Sequence, residues 1–349
     1  MKLVIDDKIP YIAESARTIA DEVVLAPGKD FTPELVRDAD ALIVRTRTRC
    51  NRKLLEGSRV QLVVTATIGY DHIDTEYCRQ SGIAWSNAPG CNASSVAQYV
   101  QSSLFLLQRI GCLTLKGATM GIIGAGNVGS KVAAVARKAG MRLLINDLPR
   151  QDKEGKGGFT DLTDIAKECN IITFHTPLYT EGKYKTFHLA NRAFFQSLQR
   201  NPVIINTSRG EVVDTDRLLY ALNTGMVSNA VIDVWEGEPN IHKELLEKAT
   251  IATPHIAGYS ADGKANAARM SLETVCKHFE IAVPFKITPS APGNATVHAP
   301  TYEEALLKIY NPYLDSEALK NSPNEFEKLR ENYPLRREEQ AYHLIIDTA

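Results

Sequence analysis

Cysteine is scarce and unpatterned in this sequence. The six cysteines stand at positions 50, 78, 91, 112, 169 and 276, and no two form a CxxC pair. A chain of 349 residues can bury a core without disulfides, so a reduced, cytoplasmic protein is expected. No HExxH motif or cluster of His and Cys suggests a metal. No apolar run approaches the roughly eighteen residues of a membrane span. The opening MKLVIDDKIP contains an acidic pair and no apolar h-region follows it, so it reads as a strand rather than a signal peptide. A dominant charge is also missing. Forty Lys and Arg stand against 41 Asp and Glu, a net charge of -1, and no local basic patch is evident. Binding to nucleic acid or to a membrane surface is therefore not expected. No internal repeat is found. The length suggests two or three domains, and 44% apolar with 23% charged residues is ordinary for a globular protein.

What the sequence does contain is a phosphate-binding turn between two strands. Met120 to Asp147 reads MGIIGAGNVGSKVAAVARKAGMRLLIND. Met120 to Ile123 is a short apolar run, as in a buried parallel strand. Gly124, Gly126 and Gly129 then follow in the spacing GxGxxG. The first permits the tight turn, the second lets a pyrophosphate approach the backbone, and the third lets the next helix pack on the sheet. The helix N-terminus presents N–H groups to the phosphate charge. A second strand ends at Asp147, 18 residues past Gly129, where a carboxylate accepts hydrogen bonds from the ribose hydroxyls. That favours NAD over NADP. A P-loop is excluded because Ser130 and Lys131 follow the last glycine, in the wrong order.

Before this stretch, apolar runs at 2–5, 22–25, 41–44, 60–65 and 83–85 alternate with helical pattern, a small parallel α/β domain without its own GxGxxG. Arg45, Arg47 and Arg49 alternate just past one of these strands. They suit either a solvated edge or an anion site at the carboxyl end of the sheet. Ser94 or Ser95 is expected to cap a helix running to about Arg109. Cys91, in the turn before it, reads as a small residue filling a tight space. After Asp147 a Gly- and Lys-rich loop is expected over 150–158. Strands follow at 170–174, 203–206, 230–234 and 251–253, each with polar residues at its end. A long helix is expected over 261–281, a proline-rich connection over 284–300, then two helical segments and a strand at 342–346.

Three residues past these strands carry chemistry: Arg209, Glu238 and His255. Oxidising an alcohol by hydride transfer needs a base for its proton and a cation for neighbouring negative charge. A histidine, which ordinarily titrates near pH 6.5, suits the first role. A carboxylate beside it orients the ring, and an arginine grips a carboxylate substrate bidentately. His175 reads as a residue making a backbone bond. Asp233 suits either a cofactor contact or a brace for the loop around Arg209.

GIIGAGNVG (121–129), INTSRG (205–210), DVWEGEP (233–239) and TPHIAGY (253–259) resemble the D-isomer-specific 2-hydroxyacid dehydrogenases, over residues 1 to about 283. TATIGYDHID (65–74), APGCNAS (88–94), FHTPLYTEGKYKTFHL (174–189) and FEKLRENYPLRRE (326–338) resemble one branch whose members act on a phosphorylated 2-hydroxyacid. The resemblance implies NAD-dependent oxidation, with Arg209, Glu238 and His255 catalytic. It implies cofactor contacts at Gly124, Gly126, Asn127, Val128, Gly129, Asp147, Thr176, Asp233 and Gly258. It places substrate at Thr46, Thr67 and Tyr259. The phosphate of such a substrate is expected toward Thr46, Tyr259 and the arginines of 45–49, Arg45 and Arg47 foremost. Tyr70 stands where a smaller threonine is familiar. The implied fold class is α/β: two Rossmann-like parallel-sheet domains plus a small C-terminal α+β domain. The substrate domain is split, 1–94 and 259–285, around an NAD domain at 95–258. Residues 286–349 would form a dimerisation domain, making a homodimer. Arg336 and Arg337 suit either a reach to a neighbouring phosphate or a solvated charge run. Two other readings fit these motifs: a dehydrogenase of another D-2-hydroxyacid, such as phosphoglycerate, or an NAD-sensing corepressor of the same fold.

Overall fold

A computed structural model describes residues 1–347. Along 1–92 run β1 (Lys2–Asp6), α1 (Ala13–Arg17), β2 (Glu22–Ala26), α2 (Pro33–Val36), β3 (Ala41–Val44), α3 (Arg52–Leu55), β4 (Leu62–Thr65), α4 (Thr75–Gln80) and β5 (Ala84–Ser86). Over 93–259 follow α5 (Ala93–Arg109), β6 (Thr119–Ile123), α6 (Asn127–Lys138), β7 (Arg142–Asn146), α7 (Leu148–Glu154), α8 (Leu162–Glu168), β8 (Ile171–Phe174), α9 (Arg192–Gln196), β9 (Val203–Asn206), α10 (Thr215–Asn223), β10 (Asn229–Ile232), α11 (Lys243–Lys248) and β11 (Ile251–Ala252). The remainder holds α12 (Ala261–His278), β12 (Thr296–Ala299), α13 (Tyr302–Ile309), α14 (Pro312–Asn321), α15 (Phe326–Glu331) and β13 (His343–Ile346). No helix among the described residues is long and apolar enough to cross a membrane.

Met1–Asn92 and Ser260–Ala291 form one compact unit. Its sheet is parallel, in the order β2-β1-β3-β4-β5. β3 and β4 are buried at every position. Layers cover both faces, so these strands are continuous apolar runs rather than alternating ones. The strand order reverses between β1 and β3, the crevice where ligands of such sheets bind.

Ala93–Tyr259 and Pro292–Ala349 form the second unit. Its parallel sheet runs β11-β10-β9-β8-β6-β7, reversing between β6 and β8. Register aligns Ile123 with Phe174, Phe174 with Asn206, Asn206 with Ile232, and Ile232 with Ala252. The loops that follow these residues therefore leave one edge of the sheet together. The glycine turn, Thr176, Arg209, Glu238 and His255 sit on those loops.

The C-terminal residues differ from expectation. They do not stand apart from 286 onward but pack into the second unit, and the divisions fall after 92, 259 and 291. The last two residues of the expected dimerisation domain, 348 and 349, lie outside the described residues. The reason is apolar burial. Leu306, Leu307 and Tyr310 share a core with Val100, Leu104 and Leu107 of α5. Leu319 and Phe326 join the core on the other face of the sheet. Each buried leucine contributes about 1.5–3 kcal/mol. The Ala252 N–H donates to Ser316 Oγ (3.0 Å) and Lys320 Nζ to the Ala249 carbonyl (2.6 Å), which seats α14 on β11.

Other expectations also shift. Residues 148–154 are α7, not loop, because Asp147 accepts from the Arg150 N–H (3.1 Å) as N-cap. Gly155, at φ 91°, ends the helix. α5 starts at Ala93, so neither Ser94 nor Ser95 caps it; Ser95 Oγ donates instead to the Ala257 carbonyl (2.9 Å). The connection at 284–300 contains β12, paired in parallel with β13, and among the described residues the tail holds three α-helices rather than two helical segments.

Candidate active site

The glycine turn is set by close approaches. Gly124 lies at φ +89°, and a Cβ there would meet the His175 carbonyl at 2.8 Å and Thr176 Cγ2 at 3.0 Å. A Cβ on Gly129 would lie 2.0 Å from the Gly124 carbonyl oxygen. Gly126 is different: a Cβ there would meet nothing within 4 Å. The chain leaves that space open, beside the start of α6, which has no side-chain cap. Asn127 is exposed and Val128 half-buried in the same turn. Asp147 Oδ2 accepts from the Ala125 N–H (2.8 Å), and Arg150 Nη1 donates to the Ala125 carbonyl (2.8 Å). Thr176 Oγ1 is buried with no hydrogen-bond partner among the described residues. An open cradle, an uncapped helix start, an acid at the ribose position and an orphaned hydroxyl suit a dinucleotide.

On the same edge, three loops are tied together. A Cβ on Gly210 would lie 2.0 Å from the Trp235 carbonyl carbon, so only glycine lets the Arg209 loop meet the Trp235–Glu238 loop. Arg209 is half-buried, its Nη1 donating to the Ser208 carbonyl (2.7 Å). The Trp235 N–H donates to Glu238 Oε1 (2.9 Å), and its indole N–H to the Thr253 carbonyl (3.0 Å). His255 Nδ1 is 2.8 Å from Glu238 Oε2. The structure thus brings His255 and Glu238 into direct contact and places Arg209 on the loop packed beside them.

Asp233 lies beneath this loop and is 1% exposed. Its carboxylate accepts from Thr253 Oγ1 (2.7 Å), the Ile256 N–H (2.8 Å) and the Ala257 N–H (3.0 Å). It therefore braces the loop that carries His255 and leads into Gly258, not the loop around Arg209. Burial pushes its carboxyl above the ordinary range, against the pull of His255 and these donors. Burial also pushes Glu238 upward, but the His255 hydrogen bond and charge outweigh it and hold the carboxyl below its ordinary range. The His175 N–H donates to the Ile123 carbonyl (2.7 Å), and its ring adds two side-chain contacts, Nε2 lying 2.9 Å from Thr173 Oγ1 and Nδ1 3.2 Å from Thr207 Oγ1. Burial lowers its imidazole to about 3.

In the first unit, the loop after β3 carries Arg45, Thr46 and Arg47, and the loop after β4 carries Thr67. Arg45 Nε pairs with Asp6 Oδ1 (3.2 Å), and Asp6 is fully buried. Thr46, Arg47 and Arg49 are exposed, whereas Thr48 is buried and donates to the Gly28 carbonyl (2.8 Å). Thr67 Oγ1 donates to the Gly69 carbonyl (2.8 Å) and lies 2.7 Å from Thr65 Oγ1. Tyr70 packs on Trp85, ring centroids 4.8 Å apart. Cys91 is buried, and burial pushes its thiol up to about 11, as befits a packing residue.

The family described as D-isomer specific 2-hydroxyacid dehydrogenase, NAD binding domain, matches residues 92–257. An erythronate-4-phosphate dehydrogenase of Bacteroides thetaiotaomicron is 64% identical over 345 residues, 99% of either chain. The chain belongs to the erythronate-4-phosphate dehydrogenase family, a branch of the D-2-hydroxyacid dehydrogenases. Among solved structures, D-lactate dehydrogenase from Aquifex aeolicus, complexed with NAD and lactic acid, matches with TM-score 0.64 and 26% identity. It covers 80% of this chain and 96% of its own. The NAD+-bound 3-phosphoglycerate dehydrogenase of Entamoeba histolytica matches with TM-score 0.66 and 25% identity, over 82% and 98%. NAD is the cofactor, and the glycine turn, Asp147 and Thr176 fit it.

In this erythronate-4-phosphate dehydrogenase family member, the tail supplies side chains that the sequence did not reveal. Arg336 was expected at a neighbouring phosphate or in solvent; it is 9% exposed and reaches neither. Its Nη1 donates to the carbonyls of Ile256 (3.2 Å) and Tyr259 (2.9 Å), and its Nη2 to that of Ala257 (2.6 Å). The guanidinium lies 4.1 Å over the Tyr310 ring. Six residues earlier, Arg330 Nε donates to the Tyr259 hydroxyl (3.2 Å), and its Nη1 stands 3.9 Å from Glu238 Oε2. No motif announces these roles, since both arginines sit in an ordinary run of charge.

Proposed function

We propose that this chain oxidises 4-phospho-D-erythronate at C2 to 2-oxo-3-hydroxy-4-phosphobutanoate with NAD, a step in vitamin B6 synthesis. The observation that carries the reading is the 2.8 Å pairing of His255 Nδ1 with Glu238 on a sheet edge that also bears the glycine turn. Its substrate comes from the family, 64% identity over almost the full length supporting it.

Glu238 engages one ring nitrogen of His255, which leaves Nε2 to take the C2 hydroxyl proton as the hydride leaves C2. Bound NAD supplies the hydride acceptor. Arg209 grips the C1 carboxylate and holds the C2 oxygen as its charge changes. The cofactor is assigned to Gly124, Gly126, Asn127, Val128, Gly129, Asp147, Thr176 and Gly258. Asp233 is assigned through the loop it braces. The substrate is assigned to Tyr259, Thr46 and Thr67. For its phosphate, Arg45 and Arg47 lead from β3, at the order reversal of the first sheet.

We further assign a homodimer built through the C-terminal residues, where Tyr313 and Leu314 of α14 are 48% and 67% exposed. Six unpaired cysteines support a reducing cytoplasm. Turnover on a panel of phosphorylated 2-hydroxyacids tests the function. Fastest oxidation of 4-phospho-D-erythronate is expected; preference for 3-phosphoglycerate, or NADH binding with no turnover of any member, would refute it. Sedimentation of the wild type against Leu314→Asp tests the dimer.

A further inference from the structure

We propose that Arg330, on α15, is a positioning residue for the His255–Glu238 pair, so that the C-terminal segment completes the acid–base site from within the same chain. The inference rests on the reading of His255 as the acid–base group.

The Glu238 carboxylate is held from three sides. Oε1 accepts from the Trp235 N–H at 2.9 Å, and Oε2 lies 2.8 Å from His255 Nδ1. The third side is Arg330, whose Nη1 stands 3.9 Å from that same Oε2. The side chains are 27% and 19% exposed for Arg330 and Glu238, so water screens the attraction only in part. The same guanidinium holds Tyr259: Nε donates to its hydroxyl, and the guanidinium carbon lies 6.0 Å from the ring centroid. One cation thereby links the carboxylate that orients the histidine to the tyrosine assigned to substrate.

Arg330 is itself well anchored. Phe326, at the start of α15, is 1% exposed. Tyr333 meets Tyr259 edge-on, centroids 6.2 Å apart. Arg336 fastens the carbonyls of Ile256, Ala257 and Tyr259 just past His255. A backbone fastened by one arginine and a carboxylate faced by another leave little freedom around the proton-transfer group. Arg330 is spent on Glu238 and Tyr259, a role distinct from the grip of Arg209 on substrate.

The charged groups around Glu238 are His255 from the loop after β11 and Arg330 from α15, with the Tyr259 hydroxyl behind Arg330 and the Asp233 carboxylate below the loop. Arg330 favours the ionised carboxylate, as does His255 once it holds the proton. Removing Arg330 leaves His255 alone in that role, and Glu238 then protonates at higher pH.

The test is steady-state kinetics of the full chain across pH, with NAD and 4-phospho-D-erythronate, for Arg330→Gln, Arg330→Lys and His255→Ala. Arg330→Gln is expected to lower kcat about tenfold while leaving the KM for NAD within about twofold. Its acidic limb of kcat should move to higher pH, and Arg330→Lys should move that limb back. Thermal melting checks the fold, and Arg330→Met, which keeps the apolar stem, replaces Gln if that variant melts early. An unmoved limb with wild-type kcat in a folded variant overturns the proposal. So does a raised substrate KM at unchanged kcat, which would make Arg330 a binding residue. If His255→Ala keeps its turnover, the acid–base reading has failed first; if it is inactive while Arg330→Gln is unaffected, only the positioning role has.

Discussion

His255 and Glu238 meet at 2.8 Å across two loops, and His255 does so from a left-handed backbone, φ +57°. A non-glycine residue rarely holds that conformation, at a cost of about 1–3 kcal/mol. The surroundings enforce it. The His255 N–H donates to the carbonyls of Asp233 (2.8 Å) and Thr253 (3.0 Å). The Asp233 carboxylate takes the next two N–H groups, of Ile256 and Ala257. Backbone strain is thus maintained where a ring must point in one direction. The neighbouring loops are held by contacts that exclude any Cβ at Gly210.

Two replacements of His255 separate that strain from its chemistry. His255→Ala and His255→Gly should both lose turnover by at least about a hundredfold while binding NAD as the wild type does. Their stabilities should differ, because glycine occupies φ +57° freely. Chemical denaturation should find the glycine variant more stable than the alanine variant by about 1 kcal/mol. An alanine variant of equal or greater stability would show that the backbone relaxes once the ring is gone.

The glycine turn allows a second separation. A Cβ at Gly126 enters open space, whereas one at Gly129 lies 2.0 Å from the Gly124 carbonyl oxygen. Gly126→Ala should keep the wild-type melting temperature but weaken NAD at least about tenfold, by filling the space assigned to pyrophosphate. Gly129→Ala should destabilise the second unit by about 1–3 kcal/mol through overpacking. Fluorescence titration with NADH and thermal melting read the two effects. If Gly126→Ala binds cofactor normally, the phosphates lie elsewhere.

These contrasts mark what was legible in the sequence. The glycine spacing, the acid at Asp147 and the apolar strands announce a local mechanism, because each depends on residues close along the chain. Arg209, Glu238 and His255 were legible as residues at strand ends, since a parallel sheet gathers such ends on one edge. Gly210 showed only as a glycine after an arginine; its need comes from Trp235, 25 residues away. The tail was least legible. Arg336 looks like solvent-exposed charge in the string RR, and only the distant Ser95, Gln98 and Ile256 make it an interior residue. The short helices α2, α3, α4 and α11, of four to six residues, carry too little periodicity to announce themselves.

Arg336 gives the third prediction. Its guanidinium is buried and donates to the carbonyls of Ile256, Ala257 and Tyr259. Arg336→Ala leaves those carbonyls and the nearby Asp315 carboxylate without their cation, at a cost of about 3–5 kcal/mol. Urea denaturation measures the loss, and an Arg336→Ala variant within about 0.5 kcal/mol of the wild type would contradict the interior role of Arg336.

His175 provides a pH dependence with a definite sign. Burial lowers its folded-state pKa to about 3, while a histidine in an unfolded chain titrates near 6.5. Between those values the unfolded chain holds the extra proton, so stability rises with pH across the window and its contribution is fully present above about 6.5. On acidification the native state loses at most about 1.4 kcal/mol per pH unit from this residue. His175→Gln removes the titration and can still hydrogen bond to the Thr173 or Thr207 hydroxyls. Its unfolding free energy should therefore fall less steeply than that of the wild type between pH 6.5 and 4.5. Guanidinium unfolding at fixed pH values measures both slopes, and parallel slopes would mean that His175 takes up its proton in the folded protein as readily as in the unfolded chain.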